Sequence, residues 1–191
     1  IKCMKVLVTG ANGFLGSNFI YKLVETGHQV YAFSSNNNNI EPLLNKIKFT
    51  RAYTEDILNY KEDIFNFAPD VIIHFGWSGG AKYNDVNHIS QFFDNVGPSI
   101  NFLQFIKKLP KTPKFIGIGS FSEYGNLTSK AVEATIENPV NLYGLSKYTF
   151  KEYSKQLCSQ DNIDWVWIRP CYIYGPKDVS TRLIPLVINK C

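Results

Sequence analysis

A short apolar run, Met4–Thr9 (MKVLVT), passes directly into Gly10-Ala11-Asn12-Gly13-Phe14-Leu15-Gly16. Apolar residues then recur at Phe14, Leu15, Phe19, Ile20, Leu23 and Val24, and Gly27 follows. A β-branched run followed by helical spacing reads as strand, turn and helix. The glycines at 10, 13 and 16 form a G-x-x-G-x-x-G pattern at that junction. Gly10 permits a tight turn, Gly13 lets backbone approach a pyrophosphate with no Cβ in the way, and Gly16 lets the helix pack close on the strand. The amides at the helix start and the helix dipole then face the anion. This junction predicts a dinucleotide site on a parallel α/β scaffold.

The rest of the chain repeats the alternation. Strands are predicted at Gln29–Ser34, Lys46–Ala52, Asp70–Phe75, Lys114–Gly119 and Asp164–Arg169, the last stopped by Pro170. Helices are predicted at Tyr60–Phe67, at Ile89–Leu109 as one long element, at Asn141–Gln160 and at Leu183–Ile188. The run Asn36–Asn39 reads as a loop, and a glycine-containing segment over 76–87 leads into the long helix. Continuous apolar strands alternating with helices indicate a doubly wound parallel sheet with helices on both faces.

Three further groups of residues carry chemistry. Ser34 ends the second strand, where a carboxylate usually bonds the adenosine ribose of NAD. A hydroxyl tolerates a 2′-phosphate, so NADP(H) is favoured over NAD(H), although no arginine follows Ser34 directly. Asp56 and Ile57 come after the third strand, where they could bond and cover an adenine; Asp56 could equally cap the next helix. Tyr143 and Lys147 stand at i and i+4 on a predicted helix and share a face. A phenol with a pKa near 10 is a poor acid–base group at neutral pH, and a neighbouring ammonium lowers that value. Ser120, just past the fifth strand, is placed to bond a substrate oxygen, with Ser122 as a competitor.

As a set these residues resemble the extended short-chain dehydrogenase/reductase superfamily, in its NAD-dependent epimerase/dehydratase branch, which acts on nucleotide sugars. The residues that carry the resemblance are TGANGFLG at 9–16, Asp56, His74-Phe75-Gly76, Asn95-Val96, Ser120 four residues before Tyr124-Gly125, Tyr143 with Lys147, Arg169-Pro170 and Tyr174-Gly175-Pro176. The resemblance implies a Rossmann-type fold. It implies Ser120, Tyr143 and Lys147 as catalytic residues, with Ser120 and Ser122 toward the substrate. It implies a cofactor site of Gly10, Asn12, Gly13, Phe14, Gly16, Ser34, Asp56, Ile57, Phe75, Gly76, Asn95, Tyr143, Lys147 and Pro170. Asn95 would support the helix of Tyr143 and Lys147 or hold a relay water. Members that act as 4,6-dehydratases carry Thr-Asp-Glu where this chain has Ser120-Phe121-Ser122, and the 3,5-epimerase/reductases place a cysteine at Ser122. Phe121 cannot transfer a proton and Ser122 is too weak an acid. The expectation is therefore 4-keto reduction of a nucleotide-linked sugar, with 4-epimerisation as the alternative.

The chain has 191 residues, whereas members of the branch have about 300 by the same resemblance. The expected organisation is a dinucleotide-binding domain over 1–170 and the start of a substrate-binding region over 171–191, with the C-terminal substrate lobe largely absent. A catalytically silent dinucleotide-binding fragment is the reading of another class, and a purely structural protein the weakest. The composition, 45% hydrophobic and 19% charged, is globular. No apolar run approaches the roughly 18–20 residues of a membrane span. The net charge of +4 is spread along the chain, and its densest lysine cluster, Lys107–Lys114, reads as a solvated helix end, so no nucleic-acid partner is expected. Cys3, Cys158, Cys171 and Cys191 show neither metal-ligand spacing nor a C-x-x-C pair, so no metal is expected and a cytoplasmic setting is. The resemblance also admits a homodimer through the helices at 89–109 and 141–160.

Overall fold

The structure, a computed structural model, describes residues 2–79 and 88–190. Six strands form one parallel sheet: β1 (Lys5–Thr9), β2 (Gln29–Ser34), β3 (Lys48–Arg51), β4 (Val71–His74), β5 (Lys114–Ile118) and β6 (Trp165–Ile168). Their order is β3-β2-β1-β4-β5-β6. The order reverses between β1 and β4, and a crevice opens there beyond the carboxyl ends of the strands. Thr9 closes β1 beside Phe33 of β2 and His74 of β4, so three strand ends meet at this point.

Side chains alternate across the sheet and build a core on each face. Val6 and Val8 of β1 pack with Val30, Ala32 and Ile73 beneath α1 (Phe14–Glu25), which contributes Ile20 and Leu23. Leu7 points the other way, to Tyr31, Phe33, Ile72 and Phe115. That second core is closed by Phe102 and Ile106 of α4 (Val96–Ile106) and by Phe150 and Leu157 of α5 (Leu142–Gln160). The helices α2 (Lys61–Phe67), α3 (Ser90–Phe93) and α6 (Leu183–Lys190) complete the described elements.

The predicted elements are present, with their ends moved by a residue or two, and α1 and β2 have the predicted bounds. Phe19, expected on the packed side of α1, is 41% exposed; Gly16 and Ser17 take the close face instead. The single helix predicted over 89–109 is a correction: it is two helices, α3 and α4, separated at Asn95. Pro98 follows, and a proline has no amide hydrogen to donate to the carbonyl four residues earlier. The Asn95 side chain takes up the slack by bonding backbone groups. Within the predicted segment 76–87, residues 80–87 lie outside the described residues. Of the lysine cluster, Lys107, Lys111 and Lys114 pair with Asp161, Asp70 and Asp164.

Candidate active site

The glycine turn is built by contact rather than by side chains. Gly10 has φ +65°, and a Cβ on it would come within 2.6 Å of the Gly76 nitrogen at the end of β4. A Cβ on Gly16 would run into the Gly10 carbonyl, so α1 reaches the sheet only with glycine there. Gly13 is the N-cap of α1, and no side chain caps that end. The helix therefore presents free amides beside a bare backbone, which fits a pyrophosphate. Phe14 begins α1, and its carbonyl accepts from the Asn18 side chain at 2.9 Å. Asn12 is tied down: its amide donates to Ser34 Oγ at 3.2 Å, its carbonyl accepts from Asn39 Nδ2 at 2.7 Å, and its side chain bonds Asn36. The asparagine run is thus a clasp over the turn as well as a loop.

At the far side of the turn, Thr9 Oγ1 bonds His74 Nδ1 at 2.7 Å and accepts the Gly76 amide at 3.1 Å. His74 Nε2 meets Ser99 Oγ at 2.9 Å. The imidazole is 2% exposed, and burial with the Lys147 charge pushes its pKa down to about 3. Phe75 and Gly76 follow it into the crevice wall, where the Phe75 ring meets Phe19.

Asp56 and Ile57 fall in a 3-10 turn, Thr54–Tyr60, whose N-cap is Tyr53. Asp56 is therefore not a cap; it sits half-buried in the first turn. Ile57 departs from expectation. It is 1% exposed and packs into the core with Leu7 and Phe33, leaving no free face to cover an adenine. Asn95 is 3% exposed, and its hydrogen bonds run to Ser78 and Gln91, pinning the loop after β4. Pro170 follows β6, and its carbonyl accepts the Phe121 amide at 3.3 Å.

Ser120, Ser122, Tyr143 and Lys147 are brought together. Asn141 caps α5 by accepting the Gly144 amide at 2.7 Å. A Cβ on Gly144 would strike the Ser122 carbonyl, so this glycine lets the first turn of α5 close on the loop after β5. The Ser120 side chain accepts the Ser122 amide at 3.1 Å and hydrogen-bonds Tyr143. Lys147 is 4% exposed; its Nζ donates to the Ile118 carbonyl at 2.8 Å and lies 3.7 Å from the centre of the Trp77 ring. Trp77 also meets the Tyr143 ring edge-on at 6.5 Å.

Burial dominates the electrostatics of the phenol and the ammonium. Tyr143 stands above its ordinary value: burial raises it, the Ser120 hydrogen bond draws it back, and Glu123 raises it again while Arg182 lowers it. The Lys147 ammonium is directed to the Ile118 carbonyl and the face of Trp77. Burial lowers Lys147 to about 7, and Glu123 opposes that fall. At neutral pH the site therefore holds a protonated phenol beside a lysine divided between ammonium and amine.

Two further residues line the site. Trp77, three positions after His74, offers only an aromatic residue in a loop as its signal. Glu123 offers more, since Ser120-x-x-Glu123 is the spacing of a capping box.

A curated protein of Methanocaldococcus jannaschii, described as a candidate UDP-glucose 4-epimerase, is 29% identical over 182 residues. That match covers 90% of this chain and 57% of the relative. Among solved structures, the dTDP-glucose 4,6-dehydratase of Bacillus anthracis with NAD has a TM-score of 0.85 at 23% identity, covering 98% of this chain and 61% of that one. The UDP-glucose 4-epimerase of Thermotoga maritima with UDP-glucose has a TM-score of 0.83 at 24% identity, covering 94% and 59%. These structures establish the fold, and this chain spans about three fifths of the relatives' length. The model of the NAD dependent epimerase/dehydratase family matches residues 6–191, and the chain belongs to that family.

Proposed function

We propose that this chain carries the coenzyme-binding and proton-transfer part of a nucleotide-sugar 4-ketoreductase that uses NADP(H). The observation that carries the proposal is the Tyr143 phenol hydrogen-bonded to Ser120, with Trp77, just past β4, against both Tyr143 and Lys147. The residues beside Ser120 support reduction over dehydration, because Phe121 has no proton to give. When bound, NADPH supplies a hydride to the sugar C4 carbonyl carbon. Ser120 holds the carbonyl oxygen, and Tyr143 gives it the phenolic proton, leaving a phenolate that solvent reprotonates. Lys147, once charged, favours that phenolate. Residues 1–170 hold the coenzyme, and 171–191 begin the substrate-binding region.

The preference for NADP(H) is supported by the end of β2. Ser34 stands there in place of a carboxylate, and Arg51 of β3 reaches alongside with its Nε on the Ser35 carbonyl at 2.7 Å. The free thiols of Cys3, Cys158 and Cys171 support a cytoplasmic setting. Exposed Phe93 and Leu145 on α3 and α5 support a homodimer. The test is NADPH consumption with a 4-keto-6-deoxy nucleotide sugar, with the product read by NMR. Turnover by the native chain would support the reading, and Tyr143→Phe should lower it at least about 100-fold. The similarity to UDP-glucose 4-epimerases favours one second reading. Interconversion of UDP-glucose and UDP-galactose without net coenzyme consumption would establish that reading and end the first.

A further inference from the structure

Glu123 sits three residues after Ser120, in the 3-10 turn Phe121–Tyr124, and is 0% exposed. Its Oε1 accepts the Ser120 amide at 2.7 Å, completing a reciprocal capping box with the Ser120 side chain. Both carboxylate oxygens accept from Trp167 Nε1, at 3.2 and 3.1 Å. The space for this arrangement comes from Gly119, where a Cβ would run into Glu123 Oε1 and Trp167 Nε1. A buried carboxylate costs several kcal/mol unless donors and charges compensate it. Here two N–H groups reach it, and the charges acting on it are Lys147 from α5 and Arg169 beyond β6.

Lys147 Nζ bonds the Ile118 carbonyl at 2.8 Å, and Glu123 Oε1 lies against Gly119, the next residue, so the two groups are neighbours at the end of β5. Lys147 is 4% exposed, and its ammonium meets that carbonyl and one ring face. We propose that Glu123 is a positioning residue of this site: it fixes the Ser120 backbone by a hydrogen bond and sets its carboxylate beside the Lys147 ammonium. The inference rests on the reading of Ser120, Tyr143 and Lys147 as the proton-transfer site. It gives Glu123 a role that needs no proton transfer to the sugar.

The electrostatics agree in sign. Burial lowers Lys147 to about 7, and Glu123 is the charge that raises it. Burial raises Glu123, while the Ser120 amide, Trp167, Lys147 and Arg169 hold it down. The other titratable and charged neighbours are Tyr143, which Glu123 raises and Arg182 lowers, and His74 of β4, which Lys147 lowers. Removing the Glu123 charge should therefore move both Lys147 and Tyr143 to lower pKa.

The test follows the Nζ resonance of Lys147 by NMR of the native chain labelled with ¹⁵N-lysine, assigned by its loss in Lys147→Arg. Glu123→Gln keeps an acceptor for Ser120 and Trp167 but removes the charge; it should shift the Lys147 proton equilibrium at least roughly tenfold toward the amine. Glu123→Asp keeps the charge and shortens the reach; it should leave that equilibrium near the native value. An unmoved Lys147 titration in folded Glu123→Gln would overturn the proposal. If Glu123→Gln does not fold, ¹³C-carboxyl-labelled glutamate in the native chain decides: Glu123 and Lys147 must titrate as a coupled pair, and independent titrations reject the role. None of these readouts is turnover, so the catalytic reading can fail through Tyr143→Phe while this result stands, and the reverse.

Discussion

Replacing His74 by asparagine should flatten the acid side of the stability curve. The imidazole is held neutral between Thr9 and Ser99, each within hydrogen-bond distance of one ring nitrogen. A neutral ring donates to one hydroxyl and accepts from the other, whereas a protonated ring donates to both and loses that match. The folded pKa is pushed down to about 3, while an unfolded chain protonates its histidine near 6.5. The unfolded state therefore binds the extra proton first. Stability is full above about pH 6.5 and falls through the window down to about pH 3. Each pH unit inside that window costs about 1.4 kcal/mol, so acidification to pH 4.5 costs about 3 kcal/mol through this one group. Asparagine cannot titrate, although it loses ring contacts with Phe102, Phe115 and Phe150. His74→Asn should start roughly 1–3 kcal/mol less stable at pH 7.5. Its further loss at pH 4.5 should be smaller than the native loss by about 3 kcal/mol. Urea unfolding followed by circular dichroism at the two pH values measures both. Equal losses in the native chain and the variant would refute the reasoning.

Other outcomes follow from the same geometry. Gly16→Ala drives a Cβ into the Gly10 carbonyl, so it should lower stability by about 1–3 kcal/mol and weaken dinucleotide binding in calorimetry at least tenfold. Ser34→Asp puts a carboxylate where a 2′-phosphate would sit, so NADPH affinity should drop about tenfold more than NADH affinity; equal losses would remove the case for NADP(H). Trp77 lies against Lys147 and Tyr143, so coenzyme titration should quench tryptophan emission, and Trp77→Phe should remove most of that quenching although Trp165 and Trp167 remain.

The strands and the first helix were legible because one local pattern decides each. A β-branched run at 4–9 and helical spacing from Phe14 leave little choice, and the glycines mark the contacts that Gly10 and Gly16 make. What the sequence hid depends on neighbours distant along the chain. Asn95 looked helical because the apolar spacing runs through it; only Pro98 hinted at the break, and the Ser78 contact that sustains it comes from another element. Ile57 was expected beside a ligand because position after a strand says nothing about which way a side chain packs. The Tyr143–Lys147 spacing correctly put both groups on one face of α5, but the ammonium turns to Ile118 on β5, a choice made by the sheet. Arg51, absent from the residues after Ser34, arrives from the adjacent strand through the register that pairs it with Ser34.

The tie between Asn12 and the asparagine run has a chemical consequence. An asparagine followed by glycine is prone to deamidation, because the unhindered glycine amide can attack the side-chain carbonyl and form a cyclic imide. Here that carbonyl already accepts the Asn39 amide at 2.6 Å, and the Gly13 amide is engaged by the Gly10 carbonyl at 3.1 Å. The native fold therefore commits the attacking amide elsewhere and fixes the orientation of the side chain. An unfolded or heat-aged chain releases them, and the resulting aspartate would place a negative charge beside the helix amides meant for an anion. Ageing damage at Asn12 should accordingly be recorded as a chain that still folds but no longer retains dinucleotide.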